Sequence, residues 1–233
     1  MSSIYLIPNL LGESSVDAVL PNQIATIIRS LTHFIVENEK SARKFIKQLV
    51  PEKSQQELIL FTINKHTDEA DFYSFLKPCE SGFSVGIISE AGCPGIADPG
   101  AEIVKIAHKK NIRVIPLVGP SSILLAMMAS GLNGQNFAFN GYLPIEKSER
   151  KKTIKFLEKK VKEHHQSQIF IETPYRNDKM FADLIETLQN DTLLCVACDI
   201  TLESEQIRTQ SIAQWQKTNI SLQKRPTIFI IGT

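Results

Sequence analysis

The sequence lacks the segments that mark a membrane-spanning or exported protein. No apolar run approaches the roughly 18 residues that a spanning helix needs. The opening MSSIYLIPNLLGE has no basic stretch followed by an apolar segment, so it does not resemble a signal peptide. Lys and Arg number 26 against 25 Asp and Glu, so no excess of either charge points to a nucleic acid or a lipid surface as a whole-protein partner. We therefore expect a cytoplasmic protein with no membrane partner.

Cysteine is scarce, with four residues in 233. Cys195 and Cys198 form a CxxC, a spacing used by zinc and redox sites. They lie, however, in the apolar run LLCVAC, which indicates a buried strand, and Cys79 and Cys93 do not form a second such pair. We predict no metal site.

The common nucleotide-binding motifs are missing as well. The chain contains no GxGxxG and no GxxxxGK[ST]. A Rossmann dehydrogenase and a P-loop NTPase are therefore disfavoured.

Short apolar runs alternate with amphipathic segments through the first half of the chain, which predicts a parallel sheet covered by helices. Strands are expected at 3–7, 33–37, 58–61, 83–88 and 112–117, and a helix is expected to start at Asp98-Pro99, as N-cap and first helical residue. The second half adds strands at 137–144, 168–172, 193–198 and 227–231. We predict two α/β domains, 1–118 and 119–233.

The segment SEAGCPGIADPG (89–100) follows the fourth predicted strand and holds three glycines and two prolines. One interpretation is a structural turn, in which Gly supplies positive φ and Asp98 caps the next helix. The other is a ligand loop, because loops at the carboxyl ends of parallel strands often bind ligands.

Four more segments follow predicted strands: IPNLLGE (7–13), VGPSS (118–122), FNGYLP (139–144) and IETPYR (171–176). With SEAGCPGIADPG they resemble the tetrapyrrole methylase superfamily, the class III S-adenosylmethionine-dependent methyltransferases. They are most similar to the branch that methylates a cytidine ribose 2′-hydroxyl in small-subunit ribosomal RNA. That branch reads approximately VPTPIGNL, SDAGTPLISDPG, PGPSA, FEGFLP and YESPHR in the same order.

The resemblance implies a two-domain α/β fold with S-adenosylmethionine in the cleft between the domains, and usually a homodimer. It places the cofactor against loop backbone, with further contacts from the start of the helix after Pro120 and from the second domain. The implied cofactor-binding residues are Pro8, Ala91, Gly92, Cys93, Ile96, Ala97, Ser121, Ser122, Tyr142, Ala197 and Thr227.

Three segments depart from that branch. IVENEK (35–40) replaces AEDTR, so that Glu37 is kept while Asn38 and Lys40 stand for Asp and Arg. Lysine does not reproduce the planar bidentate contact of arginine. Glu13 ends LGE where IGN is expected, and Lys224, Arg225 and Pro226 replace KGE. These departures concern the substrate more than the cofactor.

Methyl transfer to a hydroxyl requires alignment and removal of the hydroxyl proton. The expected catalytic residues are Glu37 and Glu172 as bases and Arg176 as a group that positions the acceptor, together with Tyr175 and Lys40. An ion pair or a helix N-terminal carboxylate is the structural alternative for Glu37.

The acceptor stays open between RNA and a small molecule such as a tetrapyrrole. The lysine-rich segment 147–162 offers a local basic face to RNA phosphates, whereas the near-neutral net charge and the lack of an appended basic domain favour a small acceptor. A non-catalytic S-adenosylmethionine-binding protein is the third hypothesis.

Overall fold

The computed structural model describes residues 2–64 and 67–233. The chain divides into two compact units, Met1–Ser121 and Ser122–Thr233, called here the N-terminal and the C-terminal unit. In the part of the chain so described, no helix is both long and apolar enough to cross a membrane.

The N-terminal unit is a five-stranded sheet with helices between its strands. Its strands are β1 (Ser3–Ile7), β2 (His33–Val36), β3 (Ile59–Thr62), β4 (Val85–Ile88) and β5 (Arg113–Pro116). Its helices are α1 (Val16–Val19), α2 (Gln23–Ser30), α3 (Glu39–Leu49), α4 (Glu69–Phe75), α5 (Lys77–Glu80) and α6 (Gly100–Lys109). The strand order is β3-β2-β4-β1-β5 and each neighbouring pair is parallel, which confirms the predicted parallel sheet.

Both faces of this sheet are covered, as a parallel sheet requires. Successive residues of β2 alternate between two apolar clusters: Phe34 and Val36 pack with α2 and α3, while Ile35 packs with residues of α5 and α6. This is the two-residue period of a strand buried on both sides.

The carboxyl ends of the central strands are level with one another. Ile88 of β4 is in register with Ile7 of β1 and with Val36 of β2. The residues that follow these strands therefore emerge at the same edge. After β1 the chain crosses to β2, on one side of the β4–β1 pair. After β4 it crosses to β5, on the opposite side of that pair. Such a topological switch point is where open α/β sheets bind ligands.

Two details of this unit differ from the sequence prediction. Helix α6 begins at Gly100, with Pro99 in the N-cap position, rather than at Pro99 with Asp98 as its N-cap. Asp98 nevertheless accepts a hydrogen bond from the Gly100 N–H, because its side chain reaches forward two residues. Helix α2 was not predicted, although Ile24 and Ile28 form a buried i,i+4 pair on it.

The C-terminal unit is also α/β, but its sheet is mixed. Its strands are β6 (Phe137–Tyr142), β7 (Ser167–Ile171), β8 (Leu193–Cys198), β9 (Gln206–Ser211) and β10 (Thr227–Gly232), and its helices are α7 (Ser122–Ser130), α8 (Lys147–His164), α9 (Asn177–Thr187) and α10 (Ile212–Trp215). The order is β6-β7-β10-β8-β9, and only the β6–β7 pair is parallel. Strand β9 was not predicted, because its sequence QIRTQS has little of the apolar character of its neighbours.

The core of this unit lies between the sheet and helices α8 and α9. Phe170 and Phe229 stack on neighbouring strands with ring centroids 5.9 Å apart. Trp215 is buried and donates its indole N–H to the Leu194 carbonyl oxygen at 2.8 Å, which satisfies its one polar group.

The basic helix α8 is less cationic than its sequence indicates. Arg150 is buried and donates to the buried Asp183 carboxylate, with Nε 2.8 Å from Oδ2. Most lysines of α8 also contact carboxylates: Lys147 and Lys151 contact Glu186, Lys152 contacts Glu149, Lys159 contacts Glu163, and Lys162 contacts Asp191. Paired charges of this kind weaken the field that a phosphate backbone would meet.

Candidate active site

The segments after β1 and β4 are joined at the carboxyl edge of the N-terminal sheet. Asn9 and Gly92 exchange two backbone hydrogen bonds, with N–O distances of 2.9 and 3.1 Å. The Asn9 side-chain amide donates to the carbonyl oxygens of Ser89 and Glu90, at 2.9 and 3.2 Å. Asn9 was not among the predicted site residues; its only sequence signal is a polar residue directly after a strand.

Glycine is required at position 92. Its φ is +69°, and an added Cβ would lie 3.2 Å from Leu11 Cδ2 and 3.5 Å from the Pro120 carbonyl oxygen. The Ser89 hydroxyl donates to the Gly92 carbonyl oxygen at 2.6 Å, which fixes the turn from within. Gly92 thus brings the loop backbone close to the segments on either side.

Pro8 lies against the backbone of Gly119, as a floor for the loop after β5. A Cβ added at Gly119 would come within 2.2 Å of Pro8 Cγ, so no larger residue fits there. The Cys93 thiol lies 3.4 Å from the Pro120 carbonyl oxygen, which accepts its hydrogen bond. Burial raises the pKa of this thiol, so Cys93 acts as a packing residue rather than as a thiolate.

The second half of the loop is held by Asp98. Its Oδ1 accepts hydrogen bonds from the N–H groups of Gly95, at 3.1 Å, and Gly100, at 2.8 Å. Between them Ala97 adopts a φ of +56°, a left-handed conformation that costs a non-glycine residue about 1–2 kcal/mol. Ile96, an apolar side chain, is 55% exposed beside it. Ala91, Ile96 and Ala97 therefore form an exposed part of the loop, as a ligand-facing loop would.

Three carboxyl groups lie near one another at this edge: Glu37 after β2, Glu90 after β4, and Asp98. Burial raises the pKa of Glu37, and the charge of Asp98, a hydrogen bond with the Asp98 side chain and the charge of Glu90 raise it further, while a hydrogen bond from the Glu90 backbone opposes the shift. Glu90 Oε1 accepts a hydrogen bond from the Ser41 hydroxyl at 2.6 Å. Glu37 thus holds its proton more tightly than an ordinary carboxyl.

Asn38 has a structural role that explains why it can stand where aspartate was expected. It is the N-cap of α3, and its Oδ1 accepts from the N–H groups of Lys40 and Ser41, at 2.9 and 3.2 Å. Asn and Asp are similarly good N-caps. Lys40 itself is exposed in the first turn of α3.

The C-terminal unit brings four predicted site residues to one edge of its own sheet. Tyr142 is in register with Ile171, Ile171 with Ile228, and Ile228 with Ala197, so that one row crosses four strands. Glu172 follows this row after β7, and Thr227 precedes it on β10. Tyr142 is 60% exposed, whereas Ala197 and Thr227 are buried. Ser121 ends the N-terminal unit, and Ser122 is the first residue of α7.

Glu172 and Arg176, both predicted to be catalytic, bind each other. Glu172 is buried, and its Oε1 accepts from Arg176 Nη2 at 2.6 Å, from Nε at 3.0 Å and from the Thr173 N–H at 2.6 Å. All three bonds go to Oε1, so this oxygen is used within the protein. The pair instead holds the turn that carries Tyr175, which is 77% exposed.

Residues 224–226 pack beside this turn. The Lys224 N–H donates to the Pro174 carbonyl oxygen at 2.9 Å. Arg225 donates from Nε to Asp199 at 2.7 Å and from Nη2 to the Ser204 carbonyl oxygen at 2.8 Å. The residues that replace KGE therefore lie next to the IETPYR segment, and Arg225 stabilises the fold through its hydrogen bonds.

The cysteine pair of β8 does not form a metal site. Cys195 and Cys198 are buried and unbonded to each other, and their odd spacing along a strand points them to opposite faces. Over residues 2–64 and 67–233, no group of three or more His, Cys, Asp or Glu side chains is arranged to hold a metal ion.

The sequence profile of the family described as "Tetrapyrrole (Corrin/Porphyrin) Methylases" matches residues 23–216. A protein of Buchnera aphidicola subsp. Schizaphis graminum (strain Sg), named ribosomal RNA small subunit methyltransferase I, is 32% identical over 176 residues, 74% of this chain and 60% of that protein. The chain thus covers less than two thirds of that relative. The protein of the same name from Bacillus subtilis (strain 168) is 28% identical over 214 residues, 92% of this chain and 69% of that protein.

Two solved structures share the fold. The methyltransferase CobJ matches with a TM-score of 0.66 and 14% identity, over 100% of this chain and 95% of that one. The cobalt precorrin-4 methyltransferase CbiF matches with a TM-score of 0.62 and 12% identity, over 99% of this chain and 94% of that one.

Replacement of Glu172 by glutamine should destabilise the protein. Gln cannot supply the charge that binds Arg176, and a buried bond to a charged group contributes about 1.5–3 kcal/mol. We expect a loss in the free energy of unfolding of that order, measured by urea denaturation. Glu186→Gln is the matched control: this exposed partner of Lys147 and Lys151 should cost at most about 1 kcal/mol. Equal losses in the two variants would contradict a structural role for Glu172.

Proposed function

Since the chain belongs to the tetrapyrrole (corrin/porphyrin) methylase family, we propose that it uses S-adenosylmethionine to methylate a ribose 2′-hydroxyl of ribosomal RNA. The observation that carries this proposal is the backbone-built loop at the switch point of the N-terminal sheet, closed by the Asn9–Gly92 hydrogen bonds. The relatives named ribosomal RNA small subunit methyltransferase I support the choice of acceptor.

The residues of the loop suit S-adenosylmethionine. Gly92 has a positive φ and carries no side chain, so a ligand beside it would meet peptide groups. Ala91, Ile96 and Ala97 present small or apolar surface, which suits the apolar parts of such a cofactor. When bound, the cofactor supplies a methyl group already activated by its sulfonium.

Proton removal from the acceptor falls to Glu37 in this proposal. Glu172 Oε1 is bound to Arg176 and to the Thr173 N–H, whereas Glu37 lies half-buried after β2, where burial and the charges of Asp98 and Glu90 raise its pKa. A carboxyl whose pKa is raised is a better base near neutral pH once it has lost its proton. Alignment of hydroxyl and methyl provides the rest of the rate.

The turn at Tyr175 fits an RNA acceptor better than α8 does. Tyr175 is largely exposed, and the Lys224 backbone lies hydrogen-bonded to Pro174 beside it, so an aromatic ring and a cation-bearing residue lie close together. Exposed aromatics next to basic residues bind unpaired RNA bases and their phosphates. The ion pairs of α8 and the near-neutral net charge instead favour a small-molecule acceptor, which is the second candidate.

A labelled-cofactor survey separates the candidates. We expect methyl label from S-adenosylmethionine to enter the RNA of undermethylated small ribosomal subunits, and nuclease digestion to place it on a ribose. Label found only in a metabolite fraction would replace RNA by a small acceptor. Cofactor binding by calorimetry, without label in either fraction, would support the non-catalytic binder.

Gly92→Val should abolish binding of S-adenosylmethionine. The substitution places a β-branched side chain at positive φ and against Leu11, so the loop backbone that is proposed to meet the ligand must shift. Calorimetry with S-adenosylhomocysteine gives the affinity, and circular dichroism checks the fold. Gly134→Val is the control, since a Cβ there meets nothing within 4 Å. Wild-type affinity in Gly92→Val would show that the ligand binds elsewhere.

Glu37→Gln should lower the methylation rate by about 10²–10⁴-fold, the usual contribution of a general base. Raising the pH should restore part of the rate, because hydroxide then takes the acceptor's proton. The measurement is single-turnover methylation with saturating cofactor. A rate unchanged at every pH would assign the reaction to alignment alone and leave Glu37 a structural residue.

A further inference from the structure

Two short segments that are far apart in sequence meet at the end of the C-terminal sheet where β7 finishes and β10 begins. The first is the turn 173–176, between β7 and α9, and the second is the loop 222–225, just before β10. Each is closed by a backbone hydrogen bond of its own, with N and O 2.8 Å apart in the turn and 3.2 Å apart in the loop. Both segments therefore have a defined local structure.

Hydrogen bonds join the loop to the turn and to the helix that follows the turn. The Lys224 N–H donates to the Pro174 carbonyl oxygen at 2.9 Å. The Asp178 carboxylate, in the first turn of α9, accepts from the Leu222 N–H, with Oδ1 2.6 Å from N. Leu222 is buried in the core of the unit, so Asp178 fixes the loop at the point where it leaves that core.

The junction is also held from inside the fold. The buried Asn177 donates from its amide to the Arg225 carbonyl oxygen at 2.6 Å. The buried Glu172 binds Arg176 at the other end of the turn, with Oε1 2.6 Å from Nη2. The turn and the loop therefore present their exposed side chains from one hydrogen-bonded base.

Two exposed side chains stand on this base, Tyr175 on the turn and Lys224 on the loop. The Tyr175 ring is 77% exposed, although an aromatic ring stabilises a fold by being buried. Lys224 has a φ of +61°, a left-handed conformation that costs a non-glycine residue and that persists where the surrounding structure imposes it, often at ligand sites. Among the described residues, no carboxylate forms an ion pair with Lys224, unlike most lysines of α8. Neither side chain is thus used by the fold itself.

We propose that Tyr175 and Lys224 together bind one unpaired nucleotide of the RNA acceptor, and that Asp178 is the positioning residue that holds the loop beside the turn. The base stacks on the Tyr175 ring, and a neighbouring phosphate binds the Lys224 ammonium. A base pair in a duplex does not fit, since its bases are stacked on one another and cannot be laid on a ring. The inference rests on the proposed function and deepens it, because it names the form of RNA that the C-terminal unit recognises.

Tyr175→Ala tests the stacking. The measurement is fluorescence anisotropy with a labelled single-stranded RNA of about ten nucleotides, and with the same strand in a duplex. Tyr175→Ala should weaken binding of the single strand by about tenfold, the contribution of one stacked base. Tyr175→Phe keeps a ring and should stay within about threefold of wild type. Equal binding of strand and duplex by the wild-type protein, or wild-type affinity in Tyr175→Ala, would overturn the inference.

Lys224→Asn separates binding from folding. Asparagine has no charge but tolerates the left-handed conformation, so the free energy of unfolding should not fall. The plot of log affinity for the single strand against log salt should lose about 0.7 of its slope, the value for one phosphate contact. Lys217→Asn is the matched control, because Lys217 is an exposed lysine after α10, beyond the far end of β9. An equal loss of slope in both variants would show a general attraction of charge and would contradict a site at Lys224.

Asp178→Asn and Asp178→Ala test the positioning role. The Asn Oδ1 can still accept from the Leu222 N–H, so the affinity for the single strand should stay within about threefold of wild type. Asp178→Ala lacks the acceptor, so amide exchange in residues 222–225 should speed up and the affinity should fall by about fivefold. Adding Lys224→Asn to Asp178→Ala should then change the affinity little, because the loop no longer holds the cation in place. Wild-type affinity in Asp178→Ala, or full additivity of the two changes, would contradict the positioning role.

Failure of the proposed function gives a different result. Wild-type protein that left ribosomal RNA unmethylated, yet bound the single strand through Tyr175 and Lys224, would remove the function and support the binding site. Methylation of small ribosomal subunits with an unchanged KM in Tyr175→Ala would support the function and overturn the inference.

Discussion

The paired backbone hydrogen bonds between Asn9 and Gly92 are the constraint on which the candidate site depends. They close the gap between the loops after β1 and β4, whose strands end level with each other. Gly92 can make them because its φ of +69° turns both its peptide groups toward Asn9. The Asn9 amide then satisfies two carbonyl oxygens of the same turn, which would otherwise be costly to bury. The chain thus shapes this edge mainly from peptide groups.

Electrostatics adds a second feature to this edge. Glu37, Glu90 and Asp98 place three carboxyl groups around the loop, an arrangement that folding alone does not favour because like charges repel. Such a cluster attracts a cation, and a sulfonium cofactor carries one. Burial raises the pKa of Glu37, and the charges of Asp98 and Glu90 raise it further.

Much of the fold could be predicted because its strands are short apolar runs between turn-forming residues. Ser3–Ile7 and Leu193–Cys198 were predicted with their observed bounds, and the parallel direction of the strands in the first sheet, though not their order, followed from the alternation of strands and helices. The family resemblance, carried by SEAGCPGIADPG, is confirmed by the family match over residues 23–216. The polar strand β9 was not predicted, because its pairing with β8, rather than its own sequence, makes it a strand.

The site was harder to predict than the fold, since its contacts join distant positions. Asn9 contacts residues about 80 positions away, and no local pattern links Glu37 to Asp98. Glu172 and Arg176 were chosen for their chemistry, and the structure shows that they form an ion pair across the turn between β7 and α9.

The departures from the RNA-methylating pattern are easier to understand once their contacts are known. Asn38 caps α3 as an aspartate would, and Arg225 is used by Asp199 and Ser204 within its own unit. Both substitutions therefore preserve or supply local structure and say little about the acceptor. The exposed ring of Tyr175 and the exposed Lys224 beside it are, in contrast, side chains that our proposal assigns to the acceptor.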